Sequence, residues 1–182
     1  AYWMAEAARL AEDNGAQLID INMGCPAKKV VNGYSGSALL KDLDHALTLI
    51  EAVVAAVSVP VTLKTRLGWD DQIRTAPALA QRAESAGIAM MTIHGRTRCQ
   101  FYKGAADWTA IAEVSQTVNI PVVANGDIIS VATAIAALSA SKAAGVMIGR
   151  GAQGRPWLLS EVASEIEGKG QIARPRGAAF YD

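Results

Sequence analysis

Short apolar runs rich in Val, Ile and Leu alternate with helical stretches from one end of this chain to the other, and no other feature limits the fold as much. The runs fall at residues 17–23, 59–66, 89–94, 120–125 and 145–149. Near-continuous apolar runs are what strands covered on both faces require. Between them, Asp42 can cap a helix that carries Leu43, Leu47, Ile50, Val53, Val54 and Val57 at helical spacing. Asp107 stands likewise before Ile111, Val114 and Val118, and Ser130 before Ala134, Ile135 and Leu138. Pro156 suits the first turn of a last helix bearing Leu159, Val162 and Ile166 and closed by Gly168. An earlier helical pattern over 2–14 ends at Gly15. Strands joined in sequence by helices make a right-handed parallel sheet.

Units of this kind are typical of (β/α)8 barrels, whose eight repeats usually need ~250 residues. With 182 residues and five strand signals, the chain is expected to be α/β, an incomplete portion of a (β/α)8 TIM barrel with about five βα units over 1–170. The tail 171–182 has no periodicity and receives no assignment. The chain opens at Ala1 within a helical pattern, without an initiator Met or a signal-like segment, so it reads as an internal excerpt. No apolar run approaches the ~20 residues of a membrane span. Two cysteines, one in a site-like loop, fit a reduced cytoplasmic protein better than a disulfide scaffold.

Seventeen basic and seventeen acidic residues cancel, yet they are unevenly placed. The segments expected at one rim of the sheet hold Lys28, Lys29, Lys41, Arg66, Arg74, Arg96, Arg98, Lys103, Arg150 and Arg155, against Asp70, Asp71 and Asp127, a surplus of seven positive charges. A positive rim on a neutral protein points to a phosphate-rich partner.

The strand ends carry the chemistry. The first run ends in Asn22-Met23-Gly24-Cys25-Pro26, a thiol where α/β enzymes place reactive groups. Alternation puts Lys64 and Arg66 on one face with Thr62. His94-Gly95-Arg96-Thr97, Asn125-Gly126-Asp127 and Gly149-Arg150-Gly151 follow the next three runs. Each has an ordinary reading when taken singly: an edge lysine, a core histidine, a turn. Their joint placement at consecutive strand ends predicts one ligand site. The last of them has the small residues and positive charge of a phosphate cradle.

These blocks, with Ala27-Lys28-Lys29-Val30 and Gly36-Ser37-Ala38-Leu39-Leu40, resemble the signature of the bacterial tRNA-dihydrouridine synthases, nearest to the B-type (NifR3-like) branch, over about residues 17–159. The resemblance implies a barrel holding FMN, with NADPH as reductant and a uridine of tRNA as substrate. It implies cofactor-binding roles for Lys64, Asn125, Gly126, Asp127, Gly149 and Arg150, with His94 joining them. It makes Cys25 the catalytic acid and sets Asn22 near the substrate base. Arg66 is assigned to the substrate side, and Lys28, Lys29 and Arg96 are expected to face tRNA phosphates. Such enzymes also have N-terminal strands and a C-terminal helical domain that this sequence lacks. No metal is implied.

Reduction of the uracil C5–C6 bond needs hydride at C6, which no side chain supplies, and a proton at C5. A thiol with an ordinary pKa near ~8.5 is protonated at neutral pH and still able to release its proton. A related FMN barrel acting on a free pyrimidine, of the dihydroorotate dehydrogenase kind, is the alternative enzyme. A non-catalytic RNA-binding scaffold or an inactive fragment is the alternative outside catalysis.

Overall fold

The sheet of this protein has one apolar face and one polar face, and the helices lie against the first. The structure is a computed structural model and describes residues 1–169. The 171–182 tail lies outside the described residues.

Helix α1 (Tyr2–Asp13) ends at Gly15, whose φ of 92° turns the chain toward strand β1 (Ile19–Asn22). A single turn, α2 (Lys28–Val31), and a 3-10 helix (Gly36–Lys41) follow before α3 (Leu43–Val54). The Asp42 carboxylate accepts from the His45 amide at 3.0 Å and caps α3. Strand β2 (Val61–Arg66), helix α4 (Ala76–Ser85), strand β3 (Met90–His94) and helix α5 (Trp108–Ser115) come next, α5 capped by Asp107. Strand β4 (Val122–Asn125) leads to α6 (Val131–Ser141), where Ser130 and Thr133 satisfy each other's backbone amides in a capping box. Strand β5 (Gly145–Met147), a 3-10 turn (Arg150–Ala152) and α7 (Leu158–Ile166) complete the described chain.

The five strands are parallel and run β1-β2-β3-β4-β5. They form five βα units of a TIM-type barrel, as the sequence predicts. Register decides the faces, because side chains alternate along each strand. Ile21, Leu63, Met91 and Val122 stand in one row and Thr65, Ile93 and Ala124 in another, on the face that packs against Ile50 and Val53 of α3, Leu79 of α4 and Ile111 and Val114 of α5. Each such Ile, Leu or Val contributes about 2 kcal/mol by leaving water. A smaller cluster joins Ala134 and Ala137 of α6 to Leu158 and Val162 of α7. The opposite face carries Asp20 and Thr62, then Asn22, Lys64 and Thr92, then Arg66, His94, Asn125 and Met147.

Three details depart from the sequence reading. β2 and β4 begin after Pro60 and Pro121, which have no N–H; their carbonyls instead accept from Ile19 and Met91. Helix α4 was not foreseen. Its buried residues Ala76, Leu79, Ala80 and Ala83 have helical spacing, but only one is a large apolar side chain, so the periodic signal is faint. The last helix starts at Leu158, beyond Pro156, which occupies the turn before it.

Candidate active site

The loop after β1 is pinned from three directions. The Asn22 side-chain oxygen accepts from the Gly24 amide at 3.0 Å, closing the turn that Asx residues favour. Arg66 Nε donates to the Gly24 carbonyl at 2.8 Å, and the Thr65 hydroxyl donates to the Met23 carbonyl. The Cys25 carbonyl accepts from both the amide (3.1 Å) and the hydroxyl (2.8 Å) of Ser37. Gly36 allows this, since a Cβ there would lie 2.8 Å from the Cys25 oxygen. Cys25 is thus half-buried on a fixed backbone, with its thiol uninvolved in a disulfide.

A cavity of about 720 Å³ opens at the C-terminal ends of the strands. Its walls bring together Asn22, Cys25, Lys64, Arg66 and His94 from the first three strands and their loops. Across from them stand Asn125, Gly126, Asp127, Gly149 and Arg150. Lys28, Lys29 and Arg96 are not on that wall. The size is typical of cofactor sites.

Lys64 Nζ donates to Asn125 Oδ1 at 3.3 Å, and Asn125 Nδ2 donates to the Met147 carbonyl at 2.8 Å, so strands β2, β4 and β5 are tied at one level. Burial, and then the neighbouring Arg66, lower the pKa of Lys64. His94 is held neutral: burial first, then the charges of Arg66, Lys64 and Arg96, bring it down to about 3. Arg96 Nη1 lies 3.3 Å from His94 Nε2; a guanidinium can only donate, so Nε2 accepts and the ring proton sits on Nδ1. Gly126, at φ 116°, leaves room for that ring, because a Cβ would meet His94 Cδ2 at 2.9 Å.

Two arginines expected on the rim are interior struts instead. Arg66 and Arg96 are each 2% exposed. Besides Gly24, Arg66 serves the carbonyls of Thr97 (3.0 Å) and Phe101 (2.8 Å), and it shares the cavity wall with Cys25. Arg96 donates to the carbonyls of Lys103 (3.2 Å) and Gly104 (2.6 Å) and to Asp127 Oδ2 (2.6 Å). The expectation that Arg96 faces phosphates is therefore corrected: buried backbone carbonyls and a carboxylate take up its donors. Asp127 also accepts from the Ala106 amide at 2.8 Å and pairs with Arg150 at 3.6 Å. Burial acts to raise its pKa, but the Arg96 hydrogen bond, the Ala106 amide and the two guanidinium charges together hold it below the usual carboxylate range.

The other rim cations divide. Arg74 pairs with Asp71 and Asp107, and Arg155 donates to the carbonyls of Ile129 and Gly151. Lys28, Lys29, Lys41, Arg98 and Lys103 form no ion pair among the described residues. Of the ten cations counted on the rim, these five keep their charge free of ion pairs among the described residues.

Tyr102 is a polar wall residue that the sequence reading missed. Its ring is about half-exposed and lies under two guanidiniums, 4.8 Å from Arg150 and 5.6 Å from Arg66. The Phe101-Tyr102 pair in a polar loop was the available signal. Gly151, which the sequence places in the cradle, is required by close packing: a Cβ there would lie 2.2 Å from the Ile128 carbonyl, so the backbone of the 3-10 turn passes as close as glycine permits. Among the described residues, no group of three His, Cys, Asp or Glu is placed to hold a metal ion.

An arc of parallel βα units with a polar cavity at the carboxyl ends of its strands defines a barrel of the TIM type with a ligand site in the usual position. Consistent with this fold, 90% of the chain superposes with a TM-score of 0.64 on 39% of a protein from Labrenzia alexandrii DFL-11 described with the mandelate racemase/muconate lactonizing enzymes, at 21% identity. The sequence is more specific, for residues 1–177 match the family Dihydrouridine synthase (Dus), and the chain belongs to that family. It is 60% identical over 98% of its length to a Rhodobacter capsulatus protein named "Probable tRNA-dihydrouridine synthase", of which it covers 55%. It is 52% identical over 97% of its length to "tRNA-dihydrouridine synthase B" of Xanthomonas axonopodis pv. citri, of which it covers 53%. The chain spans about half the length of the relatives it matches.

Proposed function

We propose that the protein carrying this chain reduces uridines of tRNA to 5,6-dihydrouridine in the cavity described above. The observation that carries the reading is the half-buried Cys25 thiol on the same cavity wall as Lys64, Asn125 and Arg150, in a chain of the dihydrouridine synthase family. The family is flavin-dependent in general, and FMN with NADPH as its reductant is the finer assignment made here.

The residues present fit that group. The close backbone at Gly151 and the exposed guanidinium of Arg150 suit a phosphate, with Gly149 beside them. Lys64, Asn125, Gly126 and neutral His94 suit the polar edge of a flavin ring. Asp127 acts indirectly, by holding Arg96 and Arg150 in place. When bound, the reduced flavin supplies the hydride for uracil C6.

The chain's own residues do the rest. Cys25 holds the proton destined for C5 on a backbone fixed by Ser37. The Asn22 oxygen is spent on its own turn, which leaves its Nδ2 to donate to a uracil carbonyl. Lys64, partly desolvated, offsets negative charge developing beside it. Tyr102 offers a ring face at the mouth. The uridine has to leave its stack to reach this depth. Lys28 and Lys29 are exposed near the mouth and suit tRNA phosphates. A tRNA substrate suits a cytoplasmic protein; no described helix is long and apolar enough to cross a membrane.

The test is Cys25→Ala in the full-length protein. Reduction of unmodified tRNA should fall by about 100-fold or more, the scale of a lost general acid, while the flavin absorbance of the purified protein is retained. Undiminished turnover would exclude Cys25 as the proton donor.

A further inference from the structure

Beside the cavity, the loops after β1, β2 and β3 build a second cationic feature that does no work in the site. Lys41 Nζ and the Arg98 guanidinium each lie 4.5 Å from the ring centroid of Trp69. Lys41 also lies 5.6 Å from the ring of Tyr34, which is half-exposed and held at φ 56°. The backbone ties the pieces together: the Arg98 amide donates to the Gly68 carbonyl and the Cys99 amide to the Trp69 carbonyl, both at 2.9 Å. Ser35, next to Tyr34, donates to the Val30 carbonyl of α2, which carries the exposed Lys28 and Lys29.

The neighbouring carboxylates do not neutralise this strip. Asp42 is turned to the His45 amide, and Asp70 to the amides of Gln72 and Ile73. Neither Lys41 nor Arg98 forms an ion pair, and Arg98 Nε is buried with no hydrogen-bond partner among the described residues. Cations stacked on aromatic rings are held in place without being discharged. A long side chain ordered in that way loses less entropy when an anion arrives.

We infer that Lys41 and Arg98, held over Trp69 and continued by Tyr34 and by Lys28-Lys29, form a track for the RNA backbone flanking the nucleotide that enters the cavity. The two ordered cations take phosphates, and the Tyr34 ring offers a face to an unstacked base, the pairing of elements that single-stranded segments require. The loops after β1 and β3 supply both the track and the cavity wall, so a strand lying on the track leads to the mouth. The inference rests on the tRNA reading for the identity of the strand.

The test is the salt dependence of binding of unmodified tRNA to the full-length protein. Lys41→Gln with Arg98→Gln removes two phosphate contacts and should make the slope of log affinity against log salt shallower by about 1.4 to 1.8, equivalent to roughly 15- to 30-fold weaker binding near 0.15 M salt. The loss should appear in KM for tRNA. Lys41→Arg with Arg98→Lys keeps both charges and should keep the slope. Should the neutral pair fail to fold by circular dichroism, Lys41→Gln alone, on an exposed position, decides by the same measurement with half the change in slope. A wild-type slope in the neutral variant overturns the inference. A wild type that reduces tRNA while the slope is unmoved sinks the track alone. A protein that binds tRNA through the track without reducing it sinks the proposed function alone.

Discussion

Replacing Arg96 by methionine separates an internal strut from an RNA contact. The substitution keeps an unbranched apolar stem, shortened by the guanidinium group, and removes every donor. Two backbone carbonyls, Lys103 and Gly104, then lose their partner, and Asp127 Oδ2 loses a 2.6 Å charge-assisted bond. Removing one member of a buried ion pair costs about 3–5 kcal/mol. Asp127 keeps the Ala106 amide and the Arg150 charge, and its side chain is 32% exposed, so the lower end, about 3 kcal/mol, is the expected loss. In urea unfolding of the full-length protein followed by circular dichroism, with a slope near ~3 kcal/mol/M, the midpoint should fall by about 1 M. The salt dependence of tRNA binding should be unchanged in conditions where the variant is folded. A midpoint within about 0.2 M of wild type, together with a salt slope shallower by about 0.7 to 0.9, would refute this and return Arg96 to the rim.

Two further outcomes follow from the same geometry. The folded pKa of His94 is about 3 against 6.5 in the unfolded chain, so its contribution is intact above pH 6.5 and declines as pH falls toward 3, because the unfolded chain takes up the proton first. Stability between those limits should fall by up to about 1 kcal/mol per pH unit on this account, and His94→Gln should remove that component; denaturant midpoints that depend on pH equally in both proteins would contradict it. Gly151→Ala places a Cβ 2.2 Å from the Ile128 carbonyl and should cost about 3 kcal/mol by overpacking, whereas Gly33→Ala, 3.5 Å from its nearest neighbour, should cost less than about 0.5 kcal/mol; equal melting temperatures for the two variants would show that the 3-10 turn can yield.

Much of the site was legible because its signals are local. Asn22-Met23-Gly24-Cys25-Pro26 and Asn125-Gly126-Asp127 sit where an apolar run stops, and a strand end in a parallel barrel is a place as well as a boundary. Asp42, Asp107 and Ser130 cap the helices they precede, since a cap bonds to an amide three residues away. Alternation placed Lys64 and Arg66 on the face of Thr62, as the register shows. Helix α4 escaped because three of its four buried residues are alanines, too small to stand out from their neighbours.

By itself, then, the sequence determined which segments are strands, which ends carry polar groups and which glycines and caps punctuate them, all through interactions spanning a few residues. The fate of each charge was decided only in three dimensions. Arg66 and Lys41 are equivalent as cationic letters beside the rim, yet Arg66 is spent on carbonyls 31 and 35 residues away while Lys41 lies over the ring of Trp69 with no ion pair among the described residues. A guanidinium is buried wherever the fold gathers enough acceptors to replace water, and that supply depends on segments distant in the chain.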